Sequence, residues 1–189
     1  MHSINKEESM KFACLLANGF EETEAITVID CLRRAGVEVD CVSIHELEVT
    51  GSHQITVKAD KLFGDMDHYD GVFLPGGQPG STHLGNDERV LNLVRDYVHQ
   101  DKWVSAICAA PTVLAKAGII KNKNITSYPT SNVNGMFDEA NYKDDLVVVD
   151  GKMVTSRSMG TALHLGIKLV EVLGLEHKKL ASSILFQGE

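Results

Sequence analysis

Of the four cysteines in this 189-residue chain, Cys108 stands where a thiol could act as a nucleophile. Before it, Trp103, Val104 and Ile107 read as a short buried strand. After it, Ala109 to Ala117 carries helix formers, with Pro111 tolerated in a first turn and Gly118 placed to stop the helix. Cys108 is therefore expected on a sharp strand-to-helix turn. At the tip of a helix, free N–H groups and the positive dipole end stabilise negative charge, so this thiol should lose its proton easily. Such an elbow needs small residues two positions to either side, and Ala106 and Ala110 stand there. The competing reading is a cysteine buried as a small hydrophobe.

A nucleophile needs partners. In an open α/β sheet, ligands collect at the carboxyl ends of the strands. The strand 12–17 leads into Glu21, Glu22 and Glu24, and the strand ending at Leu74 leads into Pro75-Gly76-Gly77-Gln78-Pro79-Gly80, where backbone free of side chains can approach a ligand. A thiolate, a carboxyl group and free N–H donors are the parts required for covalent attack on a carbonyl, oxyanion stabilisation and proton transfer. Each part also has an ordinary reading. An acidic first turn is common helix-dipole chemistry, which leaves Glu21, Glu22 and Glu24 equivalent at this point. Gly76-Gly77 could be a plain turn and Arg157 a surface cation. His45, His53, His68, His83, His99, His164 and His177 have no triad-like context, and His164 reads as packed and hydrogen-bonded on an apolar helix face.

The elements that must position these groups alternate. Phe12 to Ala17 is a continuous apolar run, as a doubly covered parallel strand requires. A helix from Glu21 to Ala35 follows, with Ala25, Ile26, Ile29 and Leu32 on one face and Gly36 as its stop, and then a strand from Val37 to Ile44. This strand–helix–strand unit implies a parallel sheet. Glu46 to Val57 suggests a small hairpin projecting from that sheet. Asp87 can cap a helix to about Gln100 with Val90, Leu91, Val94 and Val98 inward. Ile125 to Ser127 reads as a short strand before an irregular stretch to Asn141. Leu146 to Val149 and Met153 to Ser156 flank Asp150-Gly151, a hairpin signal that places antiparallel strands at one edge. Two helices, about Gly160 to Leu173 and Glu176 to Leu185, finish the chain. The expected fold is a three-layer α/β sandwich with a flavodoxin-like, mostly parallel sheet: a disordered tail over 1–10, then one domain over 11–189.

Composition narrows the function. A formal net charge of −8 argues against nucleic acid or an anionic membrane surface as partner. Cys14, Cys31, Cys41 and Cys108 show no metal-ligand spacing, which argues against zinc. The polar stretch 1–9 carries no targeting signal and no segment approaches a membrane span, so the cytoplasm, where thiols stay reduced, is the expected compartment.

Taken together, Gly19-Phe20-Glu21-Glu22-Thr23-Glu24-Ala25, Leu74-Pro75-Gly76-Gly77, Ala106-Ile107-Cys108-Ala109-Ala110-Pro111-Thr112 and Thr155-Ser156-Arg157-Ser158-Met159-Gly160-Thr161 closely resemble the DJ-1/PfpI (ThiJ) family of the class I glutamine amidotransferase-like fold. The resemblance runs over about residues 11 to 185. It implies that Cys108 is the reactive cysteine and Glu24 the carboxyl group against it, a neutral acid able to donate to sulfur. It also implies that the backbone at Gly77 and Ala109, beside Gly76, forms an anion pocket, and that subunits pair as homodimers close to the first helix. No cofactor is implied. The partner would be a small carbonyl substrate or an oxidant, giving either glyoxalase or deglycase chemistry on aldehydes such as methylglyoxal, or a redox-sensing chaperone whose Cys108 becomes a sulfinate. Tyr128 and Arg157 would line the site. Two departures stand out. Tyr128 occupies the place where the DJ-1 branch has a histidine, which weakens a protease-like reading, and Ser158-Met159-Gly160 replaces Gly-Pro-Gly.

Overall fold

The computed structural model describes residues 9–188. Most of the expected disordered tail lies outside the described residues. Met10, assigned to that tail by sequence, instead packs on the core and accepts the Glu38 N–H at 2.9 Å.

In chain order the elements are β1 (Lys11–Leu16), α1 (Glu22–Arg34), β2 (Glu38–Ser43), β3 (Glu48–Thr50), β4 (Thr56–Lys58), β5 (Lys61–Leu62), β6 (Gly71–Leu74), α2 (Gly80–Asn86), α3 (Glu88–His99), β7 (Trp103–Ile107), α4 (Pro111–Lys116), β8 (Asn124–Ile125), β9 (Asn141–Tyr142), β10 (Val147–Asp150), β11 (Met153–Ser156), α5 (Ala162–Val172) and α6 (His177–Ser183). Seven strands form one sheet in the order β10-β11-β7-β6-β1-β2-β5. Every pair in it is parallel except β10 with β11. The edge hairpin therefore adds one antiparallel strand where the sequence suggested two, because β11 continues the parallel sheet beside β7 (Ser156 opposite Ile107). The β3–β4 hairpin stands off the main sheet, as its alternation implied.

The sheet is covered on both faces, and β1 shows how the sequence achieves it. Ala13 and Leu15 point into a core shared with α2, α3 and α4, while Phe12, Cys14 and Leu16 point into a second core with α1, α5 and α6. Both faces being apolar, the strand reads as an unbroken hydrophobic run. Two helix faces turn out rotated from the sequence assignment. Ile26 is 49% exposed while Val28 is buried, and Val98 is 37% exposed while Tyr97 is buried with its hydroxyl donating to Met66 O at 2.6 Å. Each misassigned residue sits at the margin of its apolar stripe, where the 100° step leaves facing undecided. Asp87 caps α3 as expected, accepting from Arg89 N at 2.9 Å. Among the described residues no helix is long and apolar enough to cross a membrane.

Candidate active site

The carboxyl ends of four neighbouring strands deliver the site. β7 ends at Ile107 and the chain turns at Cys108 with φ +63°, a left-handed conformation strained for any residue with a Cβ. Backbone bonds hold that turn: Cys108 N–H donates to Ser156 O at 3.0 Å, Tyr128 N–H donates to Cys108 O at 2.9 Å, and Ala110 N–H closes onto Ile107 O at 3.0 Å. Ala106 and Ala110 are fully buried, which accounts for the small flanks. The helix after the elbow is shorter than the sequence suggested and starts at Pro111.

Glu24 arrives from the first turn of α1. Glu21 caps that helix, its carboxylate accepting Glu24 N–H at 2.7 Å, and Glu22 turns the other way, accepting the N–H groups of His53 at 2.7 Å and Ile55 at 3.3 Å in the β3–β4 hairpin. The three acids, equivalent by composition, are thus separated by their partners. Glu24 is 1% exposed and hydrogen-bonds the Cys108 side chain. Gly76 N–H, expected to face an anion, is instead donated to Glu24 Oε2 at 2.8 Å. No other residue fits at position 76: a Cβ there would lie 2.5 Å from Glu24 Oε2 and 2.6 Å from Cys108 Cβ. A further donor to Glu24, invisible by residue type, is the backbone N–H of Met159. It is brought there by the loop after β11, in which the Thr161 hydroxyl gathers the N–H groups of Arg157 (3.2 Å) and Ser158 (3.1 Å) and lies 2.6 Å from Ser156 Oγ. A Thr-centred turn therefore shapes the segment that departs from Gly-Pro-Gly.

The electrostatics correct one expectation. Burial above all, then the charge and hydrogen bond of Glu24, push the Cys108 thiol up to about 12, although Ala109 and Gly77 N–H groups on sulfur work in the opposite direction. Burial likewise pushes Glu24 up to about 7 against the lowering effect of its bond to Cys108. The charge of Glu21 adds to the rise of Glu24, and the charge of Glu24 adds to that of Cys108. Cys108 is not an independently acidic thiol. The pair gives up its first proton far more readily than its second, because the first charge raises the cost of the other.

The sulfur opens onto a cleft of about 510 Å³ whose lining includes Gly77, Gln78, Thr112, Lys116 and Tyr128. Tyr128 is a wall residue, 44% exposed. Arg157 does not join it: its guanidinium is held by Asp144 O at 2.6 Å and Asp144 Oδ1 at 3.0 Å. The cleft lining contains no histidine among the described residues. His164 packs edge-on against Phe186, and its Nδ1 is buried without a hydrogen-bond partner among the described residues, in contrast to the bonded ring expected.

Comparison with known proteins bears on this geometry. The DJ-1/PfpI family profile matches residues 10–172. The chain belongs to the DJ-1/PfpI family. The dj-1beta protein of Drosophila melanogaster is 39% identical over 168 residues, covering 87% of this chain and 89% of that protein. The crystal structure of Drosophila DJ-1beta superposes with a TM-score of 0.90 at 35% identity, covering 95% of this chain and 100% of that one. Oxidized Toxoplasma gondii DJ-1 superposes with a TM-score of 0.88 at 32% identity over the same shares. A deglycase of Pyrococcus horikoshii is 34% identical over 151 residues, 78% of this chain and 90% of that protein. The mostly parallel seven-stranded sheet with its covering helices is the fold of these DJ-1 structures.

Proposed function

We propose that this DJ-1/PfpI protein is a cofactor-free, cysteine-dependent enzyme of glyoxalase or deglycase type, acting on reactive aldehydes such as methylglyoxal. One observation carries the reading: the buried Glu24 carboxyl hydrogen-bonds the Cys108 thiol, whose sulfur also meets the backbone N–H groups of Gly77 and Ala109. The Glu24 carboxylate takes the thiol proton as sulfur attacks the aldehyde carbon, the C=O π pair moves to oxygen, and Glu24 returns that proton to the oxygen to make a hemithioacetal. The Glu24 carboxylate then removes the hydrogen on that carbon as a proton and returns it to the neighbouring carbonyl carbon. The hydroxyl proton passes to the second oxygen, leaving a lactoyl thioester. Water cleaves the C–S bond, giving lactate and restoring the pair. Atoms balance as methylglyoxal plus water to lactate, with no outside oxidant. The Pyrococcus relative named as a deglycase is consistent with this class of chemistry.

The test is lactate formation from methylglyoxal by purified protein. Cys108→Ala and Glu24→Gln should each lose on the order of 100-fold or more in turnover. A Cys108→Ala protein as active as the parent ends this reading.

A second reading is favoured by access. Cys108 opens onto the cleft, whereas Cys14 and Cys31 are 0% and 1% exposed. Peroxide would oxidise the sulfur in two steps, each releasing water, to a sulfinate held by neutral Glu24. Intact mass after mild peroxide should show two oxygens at Cys108, suppressed in Glu24→Gln. Even oxidation of all four cysteines would count against it. A homodimer pairing near α1, where Ile26 is exposed, and a cytoplasmic location belong to the same proposal. Sedimentation velocity reads the first: a monomer at micromolar concentration would exclude it.

A further inference from the structure

The cleft beside Cys108 is larger than methylglyoxal needs. That molecule has five heavy atoms, and allowing each the ~30 Å³ share of a water molecule gives roughly 150 Å³, against a cleft of about 510 Å³. The cleft is bounded by α2, by α4 and by the segment 128–136. Thr112 and Lys116 lie one helical turn apart in α4, so with Ala109 of the elbow they line one wall. Gln78, Ser81 and Thr82 line the other. Ser81 is 1% exposed and its hydroxyl has no hydrogen-bond partner among the described residues.

The charge pattern of the cleft is specific. In a chain of formal net charge −8, the lining side chains of the cleft carry one fixed charge, the ammonium of Lys116, and no carboxylate among the described residues. Lys116 Nζ is oriented by a neutral group, Asn86 Oδ1 at 3.0 Å, and its stem lies along Gly85, where a Cβ would meet Cδ at 3.2 Å. A side chain at position 85 would push the ammonium aside. Lys116 closes α4 five residues after Pro111, about 7.5 Å along a helix axis at 1.5 Å per residue, and helical side chains lean back toward the amino end. Lys116 and Cys108 therefore line the same cleft, with the lysine at the carboxyl end of α4.

We infer that the cleft selects a reactive aldehyde whose far end carries an anion, carboxylate or phosphate, with Lys116 as the specificity-determining residue. The inference rests on the reading of Cys108 as the carbonyl-attacking group. In the step it requires, the thiol adds reversibly across C=O: an S–C bond forms, the π bond breaks, and the thiol proton ends on oxygen. No co-reactant is needed.

The experiment measures half-protection of Cys108 from iodoacetamide by added aldehydes, in parent, Lys116→Gln and Lys116→Arg. Succinic semialdehyde is compared with butanal, and glyceraldehyde 3-phosphate with glyceraldehyde, so the two arms separate carboxylate from phosphate. In at least one arm the anionic member should protect at about tenfold lower concentration in the parent, the value of one charge-assisted hydrogen bond. That ratio should collapse toward one in Lys116→Gln and return in Lys116→Arg. Equal protection by anionic and neutral members in both arms, or a ratio untouched by Lys116→Gln, overturns the inference. Because the readout is protection, loss of methylglyoxal turnover alone would remove the catalytic reading and leave this result standing.

Discussion

Replacing Glu24 by Gln should make the protein more stable at alkaline pH while disabling it. Burial raises the Glu24 carboxyl from an ordinary 4.5 to about 7. Below pH 4.5 folded and unfolded chains both hold the proton, and the group has no effect on stability. Between 4.5 and about 7 the unfolded chain ionises while the folded one keeps its proton, so stability falls as pH rises. Above about 7 the full loss applies; at about 1.4 kcal/mol per pH interval, a rise from 4.5 to about 7 amounts to about 3 to 4 kcal/mol. A glutamine never ionises and avoids it. Its amide can still accept Gly76 N–H through Oε1, and whatever it loses toward Met159 or Cys108, about 1 kcal/mol, is the same at every pH. Urea unfolding of parent and variant under reducing conditions at pH 5 and pH 8 isolates the effect. The variant should gain about 2 to 3 kcal/mol on the parent between the two pH values; titrating groups away from Glu24 cancel in the comparison, and Cys108, raised above the ordinary 9.0 in the parent, keeps its proton through this range. A difference that stays constant between pH 5 and pH 8 would refute the claim that this carboxyl is held neutral by burial.

Other expectations follow from the same geometry. The rate of Cys108 alkylation should rise with a midpoint above the ordinary thiol value of 9.0, and that midpoint should fall in Glu24→Gln, where the charge and hydrogen bond of Glu24 no longer raise the thiol; a midpoint that Glu24→Gln leaves unmoved would exclude the coupling. Gly76→Ala should lose activity and cost about 1–3 kcal/mol in urea unfolding, since the added Cβ meets Glu24 Oε2 at 2.5 Å and Cys108 Cβ at 2.6 Å; wild-type values would mean that loop yields freely. Asp87→Ala removes the cap of α3 and should cost about 1 kcal/mol with methylglyoxal turnover kept, because Asp87 bonds Arg89 and not the cleft; unchanged stability would count against the cap.

Much of this architecture is legible in local chemistry, and what is not has physical causes. The elbow reads from Trp103 to Thr112 because a buried strand, a cysteine and a Pro-initiated helix leave the chain one way to turn. Gly36, Gly118 and Gly174 stop their helices at φ of +90°, +75° and +74°, as their positions imply. By contrast α2 is a run of Gly-Ser-Thr-His-Leu-Gly-Asn, residues poor at forming helix, and it holds its shape through tertiary packing. The two-residue strands β5, β8 and β9 are too short to show periodicity. Glu21, Glu22 and Glu24 look alike in sequence, and only long-range partners at positions 53, 55 and 76 separate their roles. The donors at Gly76, Gly77, Ala109 and Met159 are peptide N–H groups, which any residue but proline possesses, so residue type cannot announce them.

The surroundings of the Cys108 sulfur are contributed by segments at positions 24, 76–77, 109 and 159, which come from widely separated parts of the chain. No fragment could reproduce them. A molecule that has let go of α1 or of the turn after β11 would present a thiol titrating like free cysteine, so alkylation at fixed pH doubles as a gauge of how much of a preparation is natively assembled.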